Sequence, residues 1–230
     1  MMVPRSLHTR VVDAVGQAIV SGAQPPGSVF TIADVEQQFQ VSRSVAREAI
    51  RVLESLALVR ASTRVGCTVL PSDEWNVLSP QVIRWRVAGP ERRIQLQALT
   101  ELRSAVEPVA ARLAARRATA QHVRAMDRAA EEMAELGREG QGSTPEFLAA
   151  DVVFHSTMLR ATGNDAFAAL EESIVACLEG RNAVGLTPAE PAPVNLERHL
   201  ELARAIGRRD EEAAEAFARD IVRVVSREID

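Results

Sequence analysis

Apolar residues recur at three- and four-residue steps along most of the chain, which is the period of helices with one buried face. Val11, Val12, Val15, Ala18 and Ile19 predict a helix over residues 7–21, closed by Gly22 with Pro25, Pro26 and Gly27 beyond. Ile32, Val35 and Phe39 predict a short helix over 31–39. Gln40 and Val41 then make a tight turn, and Ser42 suits the N-cap of the next helix. Leu58-Val59 and Thr68-Val69-Leu70 are short β-prone runs flanking residues 62–66, the pattern of a hairpin. Ser79-Pro80 starts and Gly89-Pro90 stops a further helix that carries Val82, Ile83 and Trp85. From residue 91 onward the period stays helical, with segments at 92–117, 120–136, 145–161, 165–182, 194–208 and 211–228. Thr119, Asn164 or Asp165, and Asp210 are N-caps, and Pro145 opens its helix.

The segment SRSVAREAIRVLE over residues 42–54 places Arg43, Arg47 and Arg51 four apart. At 100° per residue they span an arc of about 80°, while Val45, Ala46, Ala49, Ile50, Val52 and Leu53 fill the rest of the surface. A charged row opposite an apolar face is what any surface helix shows. The context narrows this. Helix, short helix, tight turn, arginine helix and hairpin make a winged helix-turn-helix, whose second short helix enters the DNA major groove. Arginine there pairs with a phosphate or forks onto the O6 and N7 edge of guanine.

Charge changes the picture by region. The whole chain is formally −4, but residues 1–71 hold seven arginines against five acids, a net of +2. Such modest positive charge predicts weak DNA binding by one copy and therefore a homodimer. All 27 basic residues are arginine, which reflects codon bias rather than function. The two cysteines, Cys67 and Cys177, have no partner at metal-ligand spacing and fit a reducing cytoplasmic setting. The sequence shows neither a signal peptide nor an apolar run of membrane-spanning length. The pattern divides into a winged helix-turn-helix over residues 1–71, a linker helix over 72–90 and an all-helical domain over 91–230. The fold class is mainly α, with the last domain an antiparallel helical bundle.

In the bundle, Asp151 and His155 lie one helical turn apart, and His199 lies on a later helix. One carboxylate and two imidazoles facing a bundle interior suit a divalent metal such as zinc. Taken alone, a histidine on such a helix is usually partly exposed or hydrogen-bonded, and an Asp–His pair one turn apart is often a surface pair. Arg103, one turn before Glu107, reads as a surface ion pair or as a carboxylate receptor. There is no G-x-S-x-G, Walker A or dinucleotide-binding glycine pattern.

Residues VSRSVAREAIRVLESLALV and RVGCTVLP resemble the DNA-binding domain of GntR-type bacterial transcription regulators. The resemblance implies DNA contacts at Arg43, Ser44, Arg47, Arg51, Arg64 and Gly66. Ala57 stands where that family usually has glycine, and is expected to disfavour a left-handed helix end there. Residues LRSAVEPVAARLAARRAT, DVVFHSTMLRATGN and RHLELARAIGRRDEEAAEA resemble the FCD effector domain of the FadR branch. This implies metal ligation by Asp151, His155 and His199 and effector binding by Arg103, with Arg181 bordering the pocket. The family's fourth ligand, a histidine, falls on Ile221 in ungapped register, with Asp220 one residue earlier. The block WNVLSPQVIRWRVAGPERR is similar to that of members that sense sugar acids.

Together these features predict an effector-responsive DNA-binding repressor that binds a palindromic operator as a homodimer and responds to a small carboxylate. Two other classes stay open. One is a metal-dependent hydrolase using Asp151, His155 and His199. The other is an effector-independent DNA-binding protein whose bundle only dimerises.

Overall fold

The computed structural model describes residues 6–229, with side chains described as far as residue 226. The chain forms two compact units, one up to Arg92 and one from Arg93 onward.

The first unit begins with α1 (Leu7–Val20), whose N-cap Ser6 accepts from the Thr9 N–H. Strand β1 (Val29–Phe30) leads into α2 (Ile32–Phe39), which opens on a Thr31–Asp34 capping box. Gln40, in the left-handed region at φ 53°, turns the chain into α3 (Arg43–Ser55), capped by Ser42. Strands β2 (Val59–Ser62) and β3 (Gly66–Val69) form the wing. The sheet is antiparallel, ordered β1-β3-β2, with Cys67 opposite Phe30 on one side and Ala61 on the other. The pattern of the sequence reveals only the hairpin. The third strand is two residues long, with Val29 exposed, so alternation cannot show it. Gly66 lies at φ 100°, and a Cβ there would come within 2.8 Å of the Phe30 carbonyl oxygen. The wing therefore needs glycine for its backbone.

Helix α4 (Pro80–Ala88) packs on α1. The Trp85 ring lies against Gly16, where a Cβ would meet the ring at 2.4 Å, and its Nε1 donates to Asp13 Oδ1 at 3.2 Å. Trp75 Nε1 donates to the Leu70 carbonyl at 2.9 Å. Both tryptophans thus bury their rings in the first core with their N–H groups satisfied.

Ala57 corrects an expectation. It adopts φ 55° after α3, where the Leu58 N–H donates back to the Leu53 carbonyl at 3.0 Å in a Schellman closure. Leu58, fully buried, outweighs the cost of an alanine in the left-handed region. Replacing Ala57 with glycine is expected to stabilise the first unit by about 1 kcal/mol. A denaturant midpoint raised at unchanged slope checks this; an unchanged or lowered midpoint refutes it.

The second unit holds α5 (Arg92–Arg117), α6 (Ala120–Arg138), α7 (Pro145–Ala161), α8 (Asp165–Ala168), α9 (Glu171–Ala183), α10 (Pro193–Gly207) and α11 (Glu211–Ile229). Thr119 caps α6, and the Asp210 carboxylate accepts from the Ala213 N–H at the head of α11. The helix expected over 165–182 is two helices. The Asn164 cap starts the short α8, and Arg160 on α7 grips Glu171 at the first residue of α9. Phe167 and Leu170, at the break, pack on Ala110, Leu159, Ile174 and Leu178. The main core sets alanines of α5, α6 and α10 against Met126, Met133, Met158, Phe147 and Phe154. Small side chains let α6 pack closely on α7 and α10.

Candidate functional site

Arg43, Arg47 and Arg51 stand exposed on α3, held outward because Ala46, Ala49, Ile50 and Leu53 are buried beneath them. Arg51 pairs with Glu48 at 2.6 Å, but both side chains remain more than half exposed, so the pair is weak. Ser44 is exposed in the first turn of α3, which carries no acid. Across an open depression of about 670 Å³ stands the wing tip, with Thr63, Arg64 and Gly66 lining the opposite side. Arg64 is exposed and Val65 stands out at the tip. Glu54 also borders this surface, and its Oε1 accepts from the Ala61 N–H at 2.8 Å, tying α3 to β2. Cys67 lies buried at the base, and burial pushes its thiol pKa up. The three arginines and the wing form one basic, concave face of the kind that receives a DNA backbone.

The second site is a cavity of about 40 Å³ inside the bundle, room for an ion and a few waters. His155 Nε2 lies 3.3 Å from Asp151 Oδ1, and His199 Nε2 lies 3.9 Å from the same oxygen. The ligand atoms of Asp151, His155 and His199 all fall within 4.8 Å of one another. Bonds of about 2.0–2.2 Å to one ion place neighbouring donors roughly 3.0–3.5 Å apart; the Asp151–His155 separation of 3.3 Å meets this as it stands, while His199 must move inward to share the ion. Phe154 packs edge-on against both imidazoles, at centroid distances of 5.6 and 5.0 Å.

The two histidines are prepared differently. His199 Nδ1 donates to the Asn195 carbonyl at 2.8 Å, one turn back on α10. Its Nε2 is buried without a hydrogen-bond partner. Burial, reinforced by the neighbouring His155, holds His199 neutral, with a pKa lowered to about 4. That is the lone-pair form a metal requires. Burial would also lower His155, but Glu107 and Asp151 outweigh it and lift its pKa to about 9. Its Nδ1 lies 3.2 Å from Glu107 Oε2, a close approach without the alignment of a hydrogen bond.

Arg103 corrects the surface-pair reading: it is 1% exposed. Its Nε donates to Glu107 Oε1 at 2.6 Å and its Nη2 to Oε2 at 3.3 Å, a bidentate fork. Its Nη2 also lies 3.4 Å from His155 Nε2, while Nη1 makes no hydrogen bond. Burial opposes charge on both groups, but each partner's charge prevails. Glu107 stays well below the usual carboxylate range and Arg103 stays cationic. Arg181 is also buried and lines the cavity. Thr187, Pro188 and Pro191 cover the cavity from the loop between α9 and α10. That loop is held by the Gly142 N–H, which donates to the Ala189 carbonyl at 2.7 Å.

The fourth ligand expected from the family is absent. Ile221 faces the cavity and is buried. Asp220 points elsewhere, bound by Arg198 at 3.3 Å and Arg223 at 3.0 Å. One residue is a 100° rotation, so the register cannot serve both directions. Sequence reasoning also missed the contact of Glu107 with His155, which joins α5 to α7. Nor did it anticipate that the Asn195 carbonyl fixes His199.

The FCD domain model matches residues 98–224, more than half of the chain, and the model of bacterial regulatory proteins of the gntR family matches residues 7–69. The chain belongs to the GntR family of transcriptional regulators, with an FCD domain. The galactonate operon transcriptional repressor of Escherichia coli is 29% identical over 91% of this chain and 90% of its own length. An uncharacterised HTH-type regulator of the same organism, YieP, is 26% identical over 74% of the chain and 75% of its own length. Among solved structures, Lar of Listeria monocytogenes superposes with a TM-score of 0.67 at 13% identity, covering 99% of this chain and 98% of its own. A GntR protein of Streptococcus agalactiae gives 0.52 at 22%, covering 96% and 99%. At those identities the likeness speaks for the fold alone. This GntR regulator is therefore a DNA-binding transcriptional regulator and not an enzyme, and the hydrolase reading falls. None of its described helices is long and apolar enough to cross a membrane.

Proposed function

We propose that this regulator is a cytoplasmic, homodimeric repressor of a palindromic operator, released when a small carboxylate enters its helical domain. In this reading residues 1–71 bind DNA, 72–90 link and 91–230 bind effector and dimerise. Arg43, Ser44, Arg47, Arg51, Arg64 and Gly66 meet the DNA. Asp151, His155 and His199 hold a divalent metal such as zinc, and Arg103 and Arg181 meet the effector's anionic end. The observation that carries the proposal is the buried His199 Nε2, left without a partner beside Asp151 and His155, in a cavity also lined by Arg103, whose Nη1 makes no hydrogen bond. One carboxylate and two imidazoles leave coordination positions open, and a metal bound there supplies positive charge that a carboxylate can meet directly. A sugar acid fits the site's chemistry, and the name of the galactonate operon repressor supports that class. The cavity is far smaller than a ligand pocket of about 300–1,000 Å³, so such an effector must displace the loop carrying Thr187, Pro188 and Pro191. To release DNA, it must bind the free form more tightly than the DNA-bound form.

A thermal-shift titration tests this. Zinc at about 100 times its dissociation constant is expected to add about 2.7 kcal/mol, a rise of several degrees. His199→Ala is expected to remove that rise. Galactonate with zinc is expected to raise the midpoint further and to dissolve the operator complex in a gel shift. A protein unmoved by metal and by every organic acid is instead an effector-independent DNA binder, which overturns the proposal.

A further inference from the structure

The Glu107 carboxylate serves two neighbours at once. Its oxygens accept from Nε and Nη2 of Arg103, and Oε2 also lies 3.2 Å from His155 Nδ1. It is 1% exposed, and Arg103 and His155 are equally buried, so bulk water does not compete for it. The fork uses one edge of the guanidinium and leaves Nη1 as the donor without a hydrogen bond, on a side chain that lines the cavity. His155 meanwhile presents Nε2 to Asp151 Oδ1 at 3.3 Å.

We infer that Glu107 is a positioning residue that couples metal binding to carboxylate binding, touching neither ligand itself. The inference rests on the metal and effector reading above. A second-layer carboxylate on a ligating imidazole fixes its orientation and raises its basicity, and removing such a partner costs 10–100-fold in affinity. Here the same carboxylate also aims the arginine. It stands between two cationic partners, a guanidinium and a metal-bearing imidazole, that would otherwise repel each other in a dry interior. An anion on Arg103 Nη1 draws on the guanidinium's charge and lets Glu107 favour His155. A metal on His155 in turn strengthens the field that holds the anion. By reciprocity, each ligand raises the other's affinity by the same factor.

Cobalt(II) is the probe, because its visible absorption reports the geometry of its donors. The full-length protein is titrated with cobalt, with and without saturating galactonate, as wild type, Glu107→Gln and Glu107→Asp. Wild type is expected to bind cobalt at least fivefold more tightly with galactonate present. Glu107→Gln keeps the shape but loses the charge. It is expected to bind cobalt at least tenfold more weakly, with the galactonate factor near one and an altered band. A purely structural role would weaken both ligands and leave the factor unchanged, and that result overturns the inference. If Glu107→Gln does not fold, Glu107→Asp decides. Its shorter side chain cannot reach both partners, so the factor must fall; a wild-type factor refutes the coupling. A wild-type protein that binds no cobalt refutes the metal reading itself and this inference with it. Wild-type binding with unchanged variants refutes only the role of Glu107.

Discussion

Arg47→Ala is expected to weaken specific operator binding by about 30-fold or more while leaving the fold intact. Arg47 lies at the middle of the exposed row on α3, facing the same depression as Arg64. A bidentate contact to guanine is worth about 1–3 kcal/mol, and the proposed symmetric dimer would lose it at both half-sites. Its side chain is exposed, whereas the stability of α3 comes from Ala46, Ala49, Ile50 and Leu53 on the opposite face. The change in folding stability should therefore stay within about 0.5 kcal/mol. Fluorescence anisotropy on operator and scrambled duplexes at several salt concentrations measures the loss. If Arg47 reads a base, only the specific complex weakens. If it grips a phosphate, both complexes weaken and the salt slope falls by about one per protomer. Unchanged operator affinity removes Arg47 from the interface.

The second large effect is on stability. Arg103→Ala is expected to cost about 3–5 kcal/mol, because it leaves the Glu107 charge in the interior without its main partner. For a unit of this size the midpoint should fall on the order of 10–20 °C. The double variant Arg103→Met with Glu107→Leu removes both charges and is expected to recover much of the loss. Calorimetry on single and double variants closes the cycle; additive losses would show that the two residues act independently. The pH dependence follows from the direction of the Glu107 shift. Its pKa is depressed in the folded state, so its stabilisation is full above its ordinary value of 4.5 and is lost only as pH falls below that. The Arg103→Ala variant should therefore differ most from wild type at neutral pH and converge on it in acid.

The helices were legible because their signals are local. The four-residue spacing of Arg43, Arg47 and Arg51, and the caps at Ser42, Thr31 and Thr119, act within one or two turns. The failures were local signals overruled from a distance. Ala57 is pulled into the left-handed region by the burial of Leu58, β1 exists only because β3 pairs with it, and the chain breaks before α9 where Phe167 and Leu170 pack on Ala110 and Leu159. The candidate metal ligands were readable as residue types, Asp151 with His155 by spacing and His199 as a second imidazole on a later helix, which the family resemblance then assigned to the same site.

The chain alone therefore determined its helical periods, its exposed arginine row and the identity of the groups available for chemistry, since hydrogen bonds between residues three or four apart act without the rest of the protein. Only the tertiary structure decided that Arg103 and Glu107 are buried, that Glu107 of α5 meets His155 of α7, and that Ile221 rather than Asp220 faces the cavity. Those outcomes depend on how helices far apart in sequence pack, and packing sets both the distance between charges and the water left around them.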